Sequence, residues 1–278
     1  MPRHQTLRAT LDWSFELLPE PERVILRRLA IFAGAFRLEA ARAIVASPEL
    51  APSEVVEGLA KLVAKSLVAA EVGGRVARYR LLDTTRAYAL EKLGESGERE
   101  RLARRHAENY RDFFERAETE WETRPTAEWL ADHGPQIDNL RAALDWAFSP
   151  GGDASIGAAL TAAALPLWMH LSLMEECRGR VERALAVLRA RPNHDTRREM
   201  KLYAALGASL IYSIGNVPEI RTACTKALEL ATSLNDTRYQ MHSLWGLYYL
   251  HSTSGRIDLA LVMAQKFCGL CRPTRIIC

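Results

Sequence analysis

Histidine, glutamate and cysteine side chains stand in two short motifs that could hold a metal ion. His106 and Glu108 form a His-x-Glu step, and Cys268 and Cys271 form a Cys-x-x-Cys step far downstream. Zinc-dependent deaminases use ligands in this order to activate a water molecule, and a Pro precedes their first Cys. Phe267 takes that place here, and no second ligand pair accompanies the two cysteines. We therefore expect reduced thiols and no metal site.

Other signatures of catalysis are missing from the sequence. The phosphate-binding pattern G-x-x-x-x-G-K-[ST] does not occur, nor does the nucleophile pattern G-x-S-x-G. His133 stands beside Asp132 and close to Asp138, a set that favours a polar loop over a site. We expect a chain that is not an enzyme and binds no cofactor of its own.

The composition is that of an ordinary globular protein, with 48% apolar and 26% charged residues among 278. The 37 basic and 34 acidic side chains give a net charge of +3, which argues neither for nor against nucleic acid. Five cysteines, an odd number, do not suggest a disulfide framework and favour a reducing cytoplasm. The uncharged stretch Ala154 to Met174 is rich in small residues and is interrupted by Pro166, so we expect buried helices and no membrane span.

The N-terminal region predicts two helices joined by a rigid corner. Leu11, Phe15 and Leu18 share one helical face, and Pro19 and Pro21 stop that helix and start the next. A third helix is expected from about Leu38 to Ser47. A fourth should begin after Pro52 and Ser53, with Ser53 as its candidate N-cap.

The pattern then changes from helical to alternating. Gly73 and Gly74 lie between two β-prone runs, which indicates a hairpin. Asp83 is expected to cap a further helix that Gly94 ends. Helices, a two-stranded wing and another helix occur in the order of a winged-helix domain.

A DNA-binding winged helix would present its fourth helix to the bases, but the early polar side chains of this helix are Glu54 and Glu57, which phosphate repels. Lys61 and Lys65 lie only in its second half. Charge placed in this way favours a packing module over a DNA reader. The wing carries three arginines that could contact a phosphate backbone: Arg75, Arg78 and Arg80.

The chain beyond residue 98 reads as helical, with one clear linker at residues 149–153. A weak repeat follows it, with helical hairpins turning at Gly179, Gly215 and Gly255. Its spacing is near that of tetratricopeptide repeats, in which small residues let paired helices approach closely. In the first and third repeat the small residue is Ala184 or Ala260, whereas the second has Ile220.

The apolar side of the last predicted helix pair should be partly exposed, because a repeat array buries its faces only against neighbouring repeats. The residues concerned are Leu244, Leu247, Leu261 and Phe267.

Four segments together resemble the C-terminal half of bacterial signal-transduction ATPases with numerous domains (STAND). They are "TLRATLDWSFELLPEPERVILRRLAIFAGAFRLEAA", "VVEGLAKLVAKSLV", "RYRLLDTTRAYALEKL" and "QIDNLRAALDWAF". More narrowly, they resemble winged-helix transcriptional regulators that join a DNA-binding domain, a P-loop domain, an internal winged helix and a tetratricopeptide-like sensor. The P-loop and DNA-binding domains would precede residue 1, so we expect a fragment, a split gene, or a truncated or frameshifted gene model.

The resemblance implies that the winged helix packs against a nucleotide-binding domain, in cis or in trans. In related NTPases this domain ends in a Met-His-Asp motif whose His meets bound ADP, and the matching residues here are Leu81, Leu82 and Asp83. Leu cannot donate to phosphate, so ATP or ADP would be bound only by an upstream P-loop domain. A protein partner or a small inducer would bind the helical repeats.

These patterns predict a mainly α fold, in which a winged-helix module with a small β-hairpin precedes a tetratricopeptide-like α-solenoid. The expected divisions are a winged helix over residues 1–97, a connecting helical region over 98–150 and helical repeats over 151–278. The favoured function is a non-catalytic regulatory arm of a transcriptional regulator in the cytoplasm. The alternatives are a stand-alone tetratricopeptide-like adaptor and, third, direct DNA binding through the wing.

Overall fold

The computed structural model describes residues 2–71, 76–190 and 195–271, with side chains from Arg8 onward. The expected mainly helical fold is confirmed. The chain forms two compact units, residues 1–156 and 157–278. None of the helices in the described part of the chain is long and apolar enough to cross a membrane.

The first unit contains a small sheet and most of the shorter helices. Its helices are α1 (Pro2–Glu16), α2 (Glu20–Leu29), α3 (Leu38–Val45), α4 (Pro52–Ala64), α5 (Asp83–Glu95), α6 (Arg99–Glu120), α7 (Thr126–His133) and α8 (Ile137–Ala147). A 3-10 turn, Gly134–Gln136, joins α7 to α8. Its strands are β1 (Phe36–Arg37), β2 (Ala69–Glu71) and β3 (Arg78–Arg80).

The predicted corner between α1 and α2 is present. Pro19 lies just before α2 in an extended conformation, and Pro21 occupies the first turn of α2, where its missing N–H costs no hydrogen bond. α1 packs against α5, where Tyr88 donates a hydrogen bond to Asp12 at 2.8 Å and meets Phe15 edge to face. These contacts hold α1 against α5.

The wing is confirmed as an antiparallel pair, with Ala70 opposite Tyr79. Gly73 and Gly74, the predicted turn, lie outside the described residues. A third strand was not predicted: β1 pairs with the other edge of β3, which places Phe36 opposite Tyr79.

Two predicted helix caps are wrong. α4 begins at Pro52, two residues earlier than an N-cap at Ser53 would place it, because a proline fits the first turn of a helix. Its N-cap position is Ala51, not Ser53. α5 begins at Asp83 itself, after Leu82 as N-cap, and no side chain caps it. Gly94 lies within α5, which continues to Glu95.

The predicted boundary at residue 97 does not separate compact units, because α6 to α8 belong to the same unit as the winged helix. α6 packs against α3 and α8. The core includes the fully buried Phe32, Phe36, Phe114 and Trp129. Residues 98–150 are thus part of the first unit's core.

The second unit consists of antiparallel helices that pack consecutively. They are α10 (Leu165–His170), α11 (Met174–Arg189), α12 (Thr196–Ser213), α13 (Glu219–Ser233), α14 (Thr237–Thr253) and α15 (Ile257–Cys271), preceded by α9 (Ala154–Ala163), which begins in the first unit. Cys224 of α13 packs closely against Gly207 and Gly246. An added Cβ would lie 2.6 Å from the Cys224 Sγ at Gly207 and 2.5 Å from it at Gly246, so a larger residue at either position would clash. α12 and α14 also contact each other, so three helices share one core.

The prediction that Leu244 and Leu247 are partly exposed is wrong. Both are buried, at 2% and 6% exposure, because they lie on the inner face of α14. Leu261 is exposed as expected, at 58%, and Phe267 is half-buried.

Candidate functional site

The exposed face of α4 is the surface that a DNA-reading winged helix would use. Glu54 accepts a hydrogen bond from the Ala51 N–H at 2.6 Å, which satisfies one of the free donors at the start of the helix. Glu57 is exposed one turn later. Two carboxylates at this end would repel the phosphate backbone of DNA.

The basic residues of α4 lie further along the helix. Lys61 is exposed, whereas Lys65 forms an ion pair with the buried carboxylate of Glu22 at 2.5 Å. One of the two lysines is therefore engaged within the fold, and the surface of α4 offers little positive charge to a nucleic acid.

The wing arginines have different environments. Arg75 lies outside the described residues. Arg78 is half-buried and its Nη2 donates to the carbonyl oxygen of Ala131 in α7, so the predicted phosphate contact is unsupported for this residue. Arg80 is exposed. Of the predicted contacts that the structure describes, Arg80 is exposed and Arg78 is partly accessible but bonded to α7.

The position that matches the Met-His-Asp motif does not fit a nucleotide. Leu81 is buried at 3% exposure, while Leu82 is 48% exposed and carries no donor. Asp83 is exposed, and its carboxylate would repel a phosphate. Neither leucine side chain has a hydrogen-bond donor that it could offer to a phosphate group.

An ion-pair network joins α2 to the start of α6. Arg28 is 5% exposed and donates from Nη2 to Glu98 at 2.5 Å and from Nη1 to the carbonyl oxygen of Val45 at 2.8 Å. Burial raises the pKa of Glu98, but the hydrogen bond and the charge of Arg28 outweigh it and lower that pKa overall. Neither residue belongs to a motif that could be recognised in the sequence.

Asn139 of α8 forms hydrogen bonds with the backbone of the turn that follows α2. Its Oδ1 accepts from the N–H groups of Ala33 at 2.9 Å and Gly34 at 3.3 Å, and its Nδ2 donates to the carbonyl oxygen of Ala35 at 2.8 Å. The side chain is fully buried. It supplies partners for backbone groups that would otherwise be buried without any.

A cavity of about 460 Å³ lies between α3, α6, α7 and the 3-10 turn, entirely within the first unit. Its buried wall includes Tyr110, His133 and Gln136, and Arg37 also lines it. The Gln136 Oε1 accepts from Tyr110 Oη at 2.8 Å. The Gln136 Nε2 and the Arg37 Nε are buried and have no hydrogen-bond acceptor among the described residues.

The prediction of a polar loop around His133 is wrong. His133 ends α7, is 5% exposed and stacks on Trp129 at 4.5 Å between ring centroids. Its Nδ1 donates to the Trp129 carbonyl oxygen at 2.8 Å, and burial lowers its pKa. Asp132 pairs with Arg124 at 2.6 Å. The exposed Asp138 pairs with Arg141 at 3.0 Å and is separate from this cluster.

The residues of the two candidate metal motifs belong to different compact units. His106 is fully buried in the first unit, between Phe32 and Tyr110, and burial lowers its pKa to about 3. Cys268 and Cys271 are exposed in the second unit. No group of three His, Cys, Asp or Glu side chains is placed to hold a metal ion within the described residues.

Of the three predicted repeat turns, the one at Gly179 is wrong. It lies inside α11, and the turn before that helix is made by Ser172, which adopts a φ of 57°. Gly215 and Gly255 lie between paired helices with φ of 97° and 71°. The three residues aligned after these glycines, Ala184, Ile220 and Ala260, are all buried.

A sequence profile described as a winged helix-turn-helix domain matches residues 18–94. Two relatives are 41% identical to the chain over 177 residues, which is 63% of this chain and 19% of each relative. They are named "Putative HTH-type transcriptional regulator Rv0890c" of Mycobacterium tuberculosis (strain ATCC 25618 / H37Rv) and "Putative HTH-type transcriptional regulator Mb0914c" of Mycobacterium bovis.

A further relative, "Uncharacterized protein Rv0894" of M. tuberculosis, is 47% identical over 103 residues, or 37% of this chain and 26% of that protein. No solved structure matches the chain. The matched regions span about a fifth to a quarter of the length of these curated relatives. The chain therefore contains a winged helix-turn-helix domain and is homologous to mycobacterial proteins named as HTH-type transcriptional regulators.

Proposed function

We propose that this chain is a non-catalytic regulatory arm of a STAND-type transcriptional regulator in the cytoplasm, and that its winged helix contacts protein rather than DNA. The observation that carries the proposal is the exposure of three large apolar side chains close to the end of α1 and the start of α5, two helices that pack against each other. Trp13 and Leu17, at the end of α1, are 65% and 62% exposed, and Leu82, at the start of α5, is 48% exposed. Large apolar side chains grouped on a surface mark contacts with other proteins.

The partner proposed for this surface is a nucleotide-binding domain, in cis or in trans. The position where relatives of this fold present a histidine to ADP is the exposed Leu82 here. An apolar side chain at that place supports a contact with the domain that holds the nucleotide, without a contact to the nucleotide itself. ATP or ADP would then be bound by that domain alone.

The second unit is proposed to be a tetratricopeptide-like array that receives the signal, either a small inducer or a protein. Exposed aromatic side chains on α12 and α14 support this role. Tyr212 is 63% exposed and stacks with Trp245 at 6.5 Å, and Trp245 stacks with Tyr249 at 6.0 Å. Rigid aromatic side chains supply large contact areas at low entropic cost.

Photo-crosslinking tests the proposed docking surface. A benzophenone amino acid at Trp13 is expected to capture, in cells of the source organism, a protein whose sequence contains G-x-x-x-x-G-K-[ST]. The same probe at Ala60, on the exposed face of α4, is the matched control. Capture of that protein from position 60 and not from position 13 would contradict the proposal.

A mobility-shift titration tests the third possibility, direct DNA binding. We expect a weak shift that competitor DNA removes, because Glu54 and Glu57 face the duplex in any recognition-helix pose. A tight shift that survives competitor and is lost in Arg80→Ala, but not in Arg42→Ala, would assign the function to DNA recognition instead.

A further inference from the structure

Two exposed thiols on α15 lie beside a methionine of α14. Cys268 and Cys271 are both exposed, and the Sγ of Cys271 lies 3.8 Å from the Sδ of the half-buried Met241. Thiolate and thioether sulfur together form a soft set of ligands, which favours copper(I). We propose that Cys268, Cys271 and Met241 form a three-sulfur binding site for copper(I), separate from the regulatory role proposed above.

The distance between the two sulfur atoms fits a shared metal ion. Bonds from a first-row metal ion to cysteine sulfur are about 2.3 Å long. Two such bonds that meet at a trigonal angle of about 120° place their sulfur atoms about 4 Å apart. The 3.8 Å between Cys271 and Met241 is close to that span. One ion can therefore bind to both sulfur atoms without a movement of either helix.

Cys268 supplies the third sulfur from one helical turn before Cys271. Residues three apart lie on the same side of a helix, with about 5–6 Å between their Cβ atoms. Cys268 is exposed and has no hydrogen bond within the described part of the chain, so its thiol can rotate towards Cys271. The sequence motif offers only these two ligands. The packing of α14 against α15 adds Met241, which lies 30 residues from Cys271 in the chain.

The ligand types decide between copper(I) and zinc. Structural zinc is almost always bound by four ligands from Cys, His, Asp and Glu side chains. Among the described residues, no third side chain of these types joins Cys268 and Cys271 in a ligand cluster. Copper(I) accepts methionine sulfur as a ligand, so Met241 completes a site for copper(I) that is incomplete for zinc.

The buried cysteines do not compete for the ion. Burial raises the pKa of the Cys177 and Cys224 thiols to about 12, so both stay protonated at neutral pH, whereas a metal ion binds the thiolate. Binding at Cys268 and Cys271 releases their thiol protons to the solvent and transfers no electron. Cys278 lies outside the described residues, so the test uses chains that carry Cys278→Ser.

Competition with the chelator bicinchoninate, under argon, measures the copper(I) affinity of the full chain. We expect about one ion per chain. Met241→Leu keeps the side-chain volume and removes the sulfur, so it should weaken binding about tenfold or more. Cys271→Ser should weaken it about 100-fold or more. Met263→Leu, at a methionine of α15 that packs on the core, is the matched control and should bind as the parent chain does.

X-ray absorption of the bound copper counts the sulfur ligands directly. We expect three in the parent chain and two in Met241→Leu. Equal affinity and an equal sulfur count in these two proteins would overturn the three-sulfur site in favour of a simple dithiol. Failure of the parent chain to take copper(I) from the chelator would overturn the site altogether, and displacement of the copper by equimolar Zn²⁺ would overturn the choice of metal.

Discussion

Replacing Gly179 and Gly215 by alanine should have opposite effects on stability. Gly179 lies in the exposed interior of α11, and an added Cβ would meet no atom within 4 Å. A glycine in an exposed helix interior costs about 1 kcal/mol relative to alanine. Gly179→Ala should therefore stabilise α11 by about 0.5–1 kcal/mol.

Gly215 has the opposite requirement. Its φ of 97° lies in the left-handed region, and its N–H donates to the Leu210 carbonyl oxygen at 3.1 Å, which ends α12. An alanine held there costs about 1–2 kcal/mol. The same substitution at these two glycines, both predicted to lie in turns, should thus differ by about 1.5–3 kcal/mol in its effect on stability.

Hydrogen exchange followed by mass spectrometry measures this difference locally, which avoids assuming that the two units unfold together. Peptides covering α11 should exchange more slowly in Gly179→Ala, and peptides covering α12 and α13 should exchange faster in Gly215→Ala. Gly255→Ala, at a φ of 71°, is the second left-handed control. If Gly179→Ala loses protection as the two controls do, Gly179 lies in a turn and our account of α11 is refuted.

Three further changes test the packing. Asn139→Ala should destabilise the first unit by about 3 kcal/mol or more in urea unfolding, because buried backbone groups lose their partners, whereas the exposed Asp138→Ala should change little. Gly246→Ala should cost about 1–3 kcal/mol, and combining it with Cys224→Ala should recover part of that loss; additive losses would contradict the close approach. Burial lowers the pKa of His106 to about 3, so on acidification the unfolded state binds the proton before the folded state does. Acidification from pH 6.5 to 4.5 should therefore cost about 2 kcal/mol of stability that His106→Phe does not lose. Equal pH dependence in both proteins would show that His106 is not buried.

The order of helices in the first unit could be predicted because each signal was local. Pro19 and Pro21 impose a break wherever they occur, and apolar residues at helical spacing identify the buried face. The strand β1 could not be predicted in this way, because the two residues Phe36–Arg37 are too few to show an alternating pattern. It forms because β3 has a free edge to pair with.

The candidate site was harder to predict, because its polar residues are on amphipathic helices where sequence alone suggests solvent exposure. Asn139 lies 106 residues from Ala33, its hydrogen-bond partner, and Glu98 lies 70 residues from Arg28. Their burial follows from how α6 and α8 pack on the winged helix. The cavity likewise depends on the spacing between packed helices, which no local pattern encodes.

The error at Gly179 has a different origin, since a glycine permits a turn without requiring one. Gly215 and Gly255 each have a left-handed φ. Each of them lies in the short turn that precedes a helix, α13 after Gly215 and α15 after Gly255. Before α11 the same geometry falls on Ser172, and Gly179 then enters the helix interior. A repeat inferred from aligned glycines must therefore be checked against the positions of left-handed residues.

The buried links between α2 and the connecting helices bear on how a signal could reach the winged helix. Arg28 and Glu98 tie α2 to α6, and Asn139 ties the turn after α2 to α8. Breaking either link leaves a buried charge or buried backbone groups without partners, which costs more than shifting the whole set together. A displacement of α8 should therefore move α2 with it.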